Sequence, residues 1–156
     1  MLCNHAEAAD NRLFISGGGI DQTMCPPAGP FGVHVGIGIL ISVPYTATNQ
    51  AHRLEIRMVD EDQTFVQVTK PDGSMEDFFV AGDFNVGRPP GLPVGAAQNV
   101  PLAVNVGVGV PHPGLYHFEV SIDGNVETRL PMTIMAGPPQ FGGGTGPSAI
   151  PPMPSR

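Results

Sequence analysis

The chain has no tryptophan, only seven lysines and arginines, and only two cysteines in 156 residues. Each shortage excludes something. The seven cations (Arg12, Arg53, Arg57, Lys70, Arg88, Arg129 and Arg156) are scattered. They form no stripe able to neutralise a run of phosphates, so nucleic acid is not an expected partner. The formal net charge is −7, which an anionic membrane surface would repel. Cys3 and Cys25 are too few for a structural zinc site, which takes four ligands in close pairs. The N-terminus lacks the basic start and apolar run of a signal peptide. Two reduced thiols in or near the core are therefore expected, with a disulfide as the alternative. The longest apolar run, Val33 to Val43, is broken by Gly36, Gly38 and Ser42 and is too short to span a bilayer. Helical signals are scarce too, and only Pro44 to Gln50 could make a helical turn.

What is present is turn-formers and alternation. Glycine (21) and proline (18) punctuate a series of apolar runs. Tyr116, Phe118, Val120 and Ile122 recur every second residue between Leu115, His117, Glu119, Ser121 and Asp123. That is the period of a strand with one face on a core. Asp123-Gly124 then favours a tight hairpin into a last strand over 126–136. Similar patterns occur at 12–16, 33–43, 52–60, 65–68, 78–86 and 100–110. They predict an all-β, Ig-like antiparallel sandwich of about eight or nine strands. Its core should contain Leu54, Ile56, Met58, Leu102, Val104 and Val106 with the alternating set of the penultimate strand. Residues 21–32, rich in proline and glycine, read as loop. Gly36 and Gly38 suggest either close approach of another segment to that face of their strand or a strongly twisted strand.

The domain is expected to cover residues 1–136. Residues 137–156 form a Pro/Gly-rich tail too poor in burial surface to order alone. Phe141, Ile150, Pro151 and Met153 are its candidate partner-binding residues.

No catalytic constellation is legible. Gly17-Gly18-Gly19 lacks the following helix of a phosphate loop and reads as a turn at a strand end. Asp60, Glu61 and Asp62 read as a solvated turn, with a calcium site as the sharper alternative. His5, His34, His52, His112 and His117 stand in no motif with a serine or cysteine nucleophile. His34 and His117 alternate onto exterior faces. Tyr116 follows Pro113-Gly114 as the tyrosine corner of Ig-like sandwiches does, which makes it a stability residue; the alternative is a stacking platform. Neither metal nor cofactor is expected.

Several segments, in order, resemble an uncharacterised family of small β proteins of actinobacteria and their phages. They are 1–6 (Met-Leu-Cys-Asn-His-Ala), 9–19 (Ala-Asp-Asn-Arg-Leu-Phe-Ile-Ser-Gly-Gly-Gly), His52-Arg53-Leu54 with Val59-Asp60-Glu61-Asp62, 87–93 (Gly-Arg-Pro-Pro-Gly-Leu-Pro), Pro113-Gly114-Leu115-Tyr116 and Ile122-Asp123-Gly124. The resemblance covers residues 1 to about 135. Asn11 departs from it, standing where glycine is usual, but asparagine tolerates the same left-handed conformation. The resemblance implies a single-domain, phage-associated β protein and carries over no functional residue. The expected function is that of a non-catalytic structural or interaction protein in a virion: an accessory, decoration or minor protein docking on capsid subunits or on itself through its tail. The alternative is a soluble binding module of the bacterial cytoplasm. It would recognise a protein or small ligand through sandwich-end loops, at a pocket bordered by the Asp60–Asp62 turn or the Arg88–Pro93 loop. An enzyme is the least expected reading.

Overall fold

The computed structural model describes residues 1–26, 31–69 and 74–138. These form eleven strands and one short 3-10 turn, Tyr45–Ala47. The first sheet contains β1 (Leu2–Ala9), β2 (Arg12–Gly18), β4 (Phe31–Val43) and β9 (Gln98–Val110), in the order β2-β1-β4-β9. The second contains β3 (Gln22–Cys25), β5 (Ala51–Val59), β8 (Phe79–Asn85), β10 (Gly114–Ile122) and β11 (Asn125–Ala136), in the order β3-β11-β10-β5-β8. A small hairpin joins β6 (Gln67–Thr69) to β7 (Met75–Asp77).

The expected sandwich is the observed one, and its core is shared between the sheets. Val33, Val35 and Ile37 from β4 pack with Ile56 and Met58 from β5, Tyr116, Phe118 and Val120 from β10, and Met132 and Ile134 from β11. Alternation explains the choice, since these are every second residue of their strands. Phe78 and Phe118 meet edge to face, with ring centroids 5.8 Å apart. Four expected core residues are only half-buried: Leu102, Val104, Val106 and Ile122. The first three lie on β9, the outermost strand of its sheet, whose later residues Val108 and Val110 are buried; Ile122 ends β10.

Three strands escaped the sequence reading. β1 lacks a regular alternation, β7 is short, and β3 lies inside the segment read as loop. β3 pairs in parallel with β11, from Thr133↔Gln22 to Ala136↔Cys25, so the second sheet is mixed rather than purely antiparallel. Two tight turns use adjacent positive φ values, Asp10-Asn11 (50° and 57°) and Asp123-Gly124 (50° and 82°). That is the geometry of the I′ hairpins whose twist matches the flanking strands.

The glycine face of β4 is approached as expected. β1 pairs with β4 only at Leu2↔Ile37 and Cys3↔Gly36, and then crosses the outer face. There Asn105 Nδ2 donates to Ala6 O (2.7 Å) and Ala6 N–H donates to Asn105 Oδ1 (2.9 Å). A Cβ on Gly36 would stand 2.9 Å from Ala6 N, Asn105 Oδ1 and Cys3 Sγ. Cys3 and Cys25 are both buried and unpaired, as expected of reduced thiols.

Candidate functional site

Among the cavities bordered by described residues, two lie at opposite ends of the sandwich. The larger, about 490 Å³, opens where β4 finishes and the β10–β11 hairpin turns. Its apolar wall is Ile39 and Ile41 from β4, Phe84 from β8, and Val120 and Ile122 from β10. These continue the inward-facing sets that build the core farther along. Its rim is polar: Ser42, His52, Asp123, Glu127 and Thr128.

The rim owes one residue to a β-bulge. Val120 faces Thr128 but Ser121 faces Val126, so Glu127 is the extra residue of β11. Bulges bend a strand and re-aim a side chain, and the bulged Glu127 lines the cavity.

His52 and Asp123 meet across the rim. His52 Nδ1 lies 2.8 Å from Asp123 Oδ2, and Nε2 lies 2.7 Å from Ala47 O. Asp123 Oδ1 also accepts the N–H of Arg53 at 2.8 Å. The hydrogen bond to Asp123, then the one to Ala47 O, raises the His52 pKa against the opposing effect of burial. The hydrogen bond from His52, then that from Arg53 N–H, lowers the Asp123 pKa. Both ring nitrogens face acceptors, so the doubly protonated imidazolium satisfies every partner. In that protonation state His52 has no free lone pair. It clamps the Ala47 segment to the hairpin turn.

The second cavity, about 430 Å³, is lined by Asp60, Phe65, Met75, Asp77, His112 and Tyr116, among others. It is bordered by the acidic turn, as the binding-module reading expects. Asp60 Oδ1 accepts the N–H groups of Asp62 and Thr64 at 3.0 and 2.9 Å, which closes the turn. Among the described residues, no group of three or more His, Cys, Asp or Glu side chains is placed to hold a metal ion. Tyr116 is almost fully buried and donates its hydroxyl to His112 O at 2.6 Å. This is the corner expected from the sequence. Burial pushes its phenol pKa up, which keeps it a donor. Beside this cavity, Arg57 Cζ lies 5.1 Å from the ring centroids of both Phe65 and Phe79. Phe65, Phe79 and Met75 are 41%, 46% and 55% exposed.

Arg88 stacks over Tyr45 with Cζ 3.8 Å from the ring centroid, and its guanidinium donates to Thr48 Oγ1 and Tyr45 O. It anchors the 87–95 loop and borders neither cavity. His34 is exposed as expected. His117 is half-buried, and its Nδ1 is shielded without a hydrogen-bond partner, so its strand face is less open than alternation implied. Gly17 to Gly19 end β2, and Gly19 N–H donates to Leu2 O at 2.9 Å; no helix follows. Phe141, Ile150, Pro151 and Met153 lie outside the described residues. The His52–Asp123 pair was missed because 71 positions separate the two residues and Asp123 has a sufficient local reason as a turn former.

No curated protein and no solved structure matches the chain. A family model described as a family of unknown function (DUF6941) matches residues 1–135, the whole of the sandwich but its last strand residue. The chain belongs to that family.

Proposed function

We propose that the protein is a non-catalytic interaction protein: an accessory component docked on a larger assembly, such as a phage capsid, with the virion as its place of action. The cluster of half-buried Arg57 with exposed Phe65, Met75 and Phe79 carries this reading. Aromatic, methionine and arginine side chains are the types enriched where proteins meet. An arginine between two exposed phenylalanines is poised to be desolvated by a partner. The acidic composition suits an outer surface, and the phage setting rests on the resemblance described above. Phe141, Ile150, Pro151 and Met153 of the tail supply further partner contacts. His52, with both ring nitrogens engaged, supports a structural rather than a catalytic role.

Density-gradient fractionation of particle-producing cells tests this. The protein should sediment with particles at a fixed ratio, and Arg57→Glu should shift it to the soluble fractions. A wild-type protein found wholly in soluble fractions overturns the reading. One observation favours the second reading, a cytoplasmic binding module: the 490 Å³ apolar cavity at the sandwich end. Under that reading a small apolar ligand would raise the melting temperature, and Ile41→Trp would abolish the shift.

A further inference from the structure

We propose that the cavity walled by Ile39, Ile41, Phe84 and Ile122 binds a small organic cation, an apolar body with a single ammonium head, and that Glu127 holds the head. This rests on the reading of that end of the sandwich as a small-ligand site, and it adds the charge and build of the ligand.

The inner face of the sandwich loses its cover toward this end. Along β10, Phe118 and Val120 are buried and Ile122 is half-buried. Along β4, Val35 and Ile37 are buried while Ile39 and Ile41 are half-buried. On β11 the same face runs from buried Met132 through half-buried Leu130 to exposed Thr128. Farther along, such side chains meet the opposite sheet; here they line a hollow of about 490 Å³. Small-molecule sites are largely apolar hollows of about 300–1,000 Å³ with a few placed polar groups. These walls take a hydrocarbon body.

The rim sets the charge. Among the described residues no lysine or arginine lines the cavity, and its ionisable groups are His52, Asp123 and Glu127. His52 and Asp123 are spent on each other and on the backbone. One Asp123 oxygen takes His52 Nδ1 and the other takes the Arg53 N–H, while His52 Nε2 faces Ala47 O. As imidazolium and carboxylate the pair is neutral, and loss of the His52 proton would make the rim more negative. That leaves Glu127. Its side chain has no hydrogen-bond or ion-pair partner among the described residues, and it is exposed. The β-bulge gives it this place, because the extra residue of β11 is the one that lines the hollow. One uncompensated negative charge beside an apolar hollow selects a ligand with one positive charge. A carboxylate head would be repelled, and a neutral head gains nothing from Glu127.

The test titrates octylammonium, 1-octanol and octanoate into the full chain near neutral pH, with isotope-labelled isoleucine methyls as reporters. The signals of Ile39, Ile41 and Ile122 should shift saturably. Octylammonium should bind about two- to five-fold more tightly than octanol, the worth of one exposed ion pair, and octanoate should bind most weakly. Glu127→Gln should erase the advantage of the ammonium head and leave octanol binding as it was. Glu7→Gln removes the same charge from an exposed position on β1 and should change nothing, which separates Glu127 from the general pull of an acidic chain. Ile41→Trp should abolish binding of all three probes, with circular dichroism as the check on folding; Glu127→Gln, on the exposed rim, decides the matter if Ile41→Trp does not fold. An ammonium preference that survives Glu127→Gln, or shifts confined to other methyls, overturns the proposal. Equal affinity for the three heads also overturns it but leaves the small-ligand reading standing. Absence of binding by every probe overturns both.

Discussion

At the scale of single residues, two side chains carry the sharpest consequences. Tyr116 buries its ring and closes the corner through His112 O. Tyr116→Phe leaves that acceptor unpaired and should cost about 1–3 kcal/mol of stability, read from urea unfolding. The test of its structural role is that partner binding stays unchanged. The second is the His52–Asp123 pair. The His52 pKa is raised from its ordinary 6.5. Its contribution to stability is therefore complete below pH 6.5 and is lost as pH rises through the higher folded-state value. The Asp123 pKa is lowered from 3.8. Its contribution is complete above pH 3.8 and is lost as pH falls through the lower folded-state value. Asp123→Asn keeps a residue that tolerates positive φ in the turn. Unfolding midpoints of wild type and Asp123→Asn should differ most between those two ordinary values and converge on either side. A gap that does not vary with pH would show that the pair contributes through the turn alone.

At the scale of elements, the outer face of β4 sets a limit on side-chain size. Gly36→Ala would place a methyl against Ala6 N, a backbone atom that cannot swing aside. Overpacking of this kind costs about 1–3 kcal/mol. The loss should appear first as faster hydrogen exchange at Leu2 and Cys3, where β1 leaves the ladder. Val120→Asp, on the buried inward face of β10, should unfold the domain outright, because it buries an unpaired carboxylate. Retention of native β circular dichroism would show that the inward face of β10 is misassigned. These elements also show what could be read from the sequence. β10 and its hairpin were legible because one face is buried and the other wet, and because Asp123-Gly124 has one economical conformation. β1 was not, because it changes role midway: it pairs as far as Cys3 and then crosses β4, so its burial keeps no period. β3 was not, because it is four residues long, lies just before Pro26, and pairs with a strand over a hundred positions away. The cavity rim was the least legible part. His52, Asp123 and Glu127 come from two strands and a turn, and a bulge leaves no mark in composition.

At the scale of the whole molecule, the sandwich and its tail should be separable in energy and joined in function. The last strand ends at Ala136, so deletion of residues 138–156 should leave the melting temperature within a few degrees while weakening attachment to particles. Full occupancy of the truncated protein on particles would move the assignment to the cytoplasmic binding module. The parallel pairing of β3 with β11 has a consequence for how the molecule comes into being. Residues 22–25 leave the ribosome early and wait for a partner at 133–136. Until that partner emerges, β3 lacks its sheet neighbour and β10 is open on the side β11 will occupy. The second sheet therefore closes only after residues 133–136 have emerged, and such non-local closure belongs with refolding in milliseconds to seconds rather than microseconds. During that interval the backbone edges of β3 and β10 are open to other nascent chains. The net charge of −7 makes nascent copies repel one another during that wait.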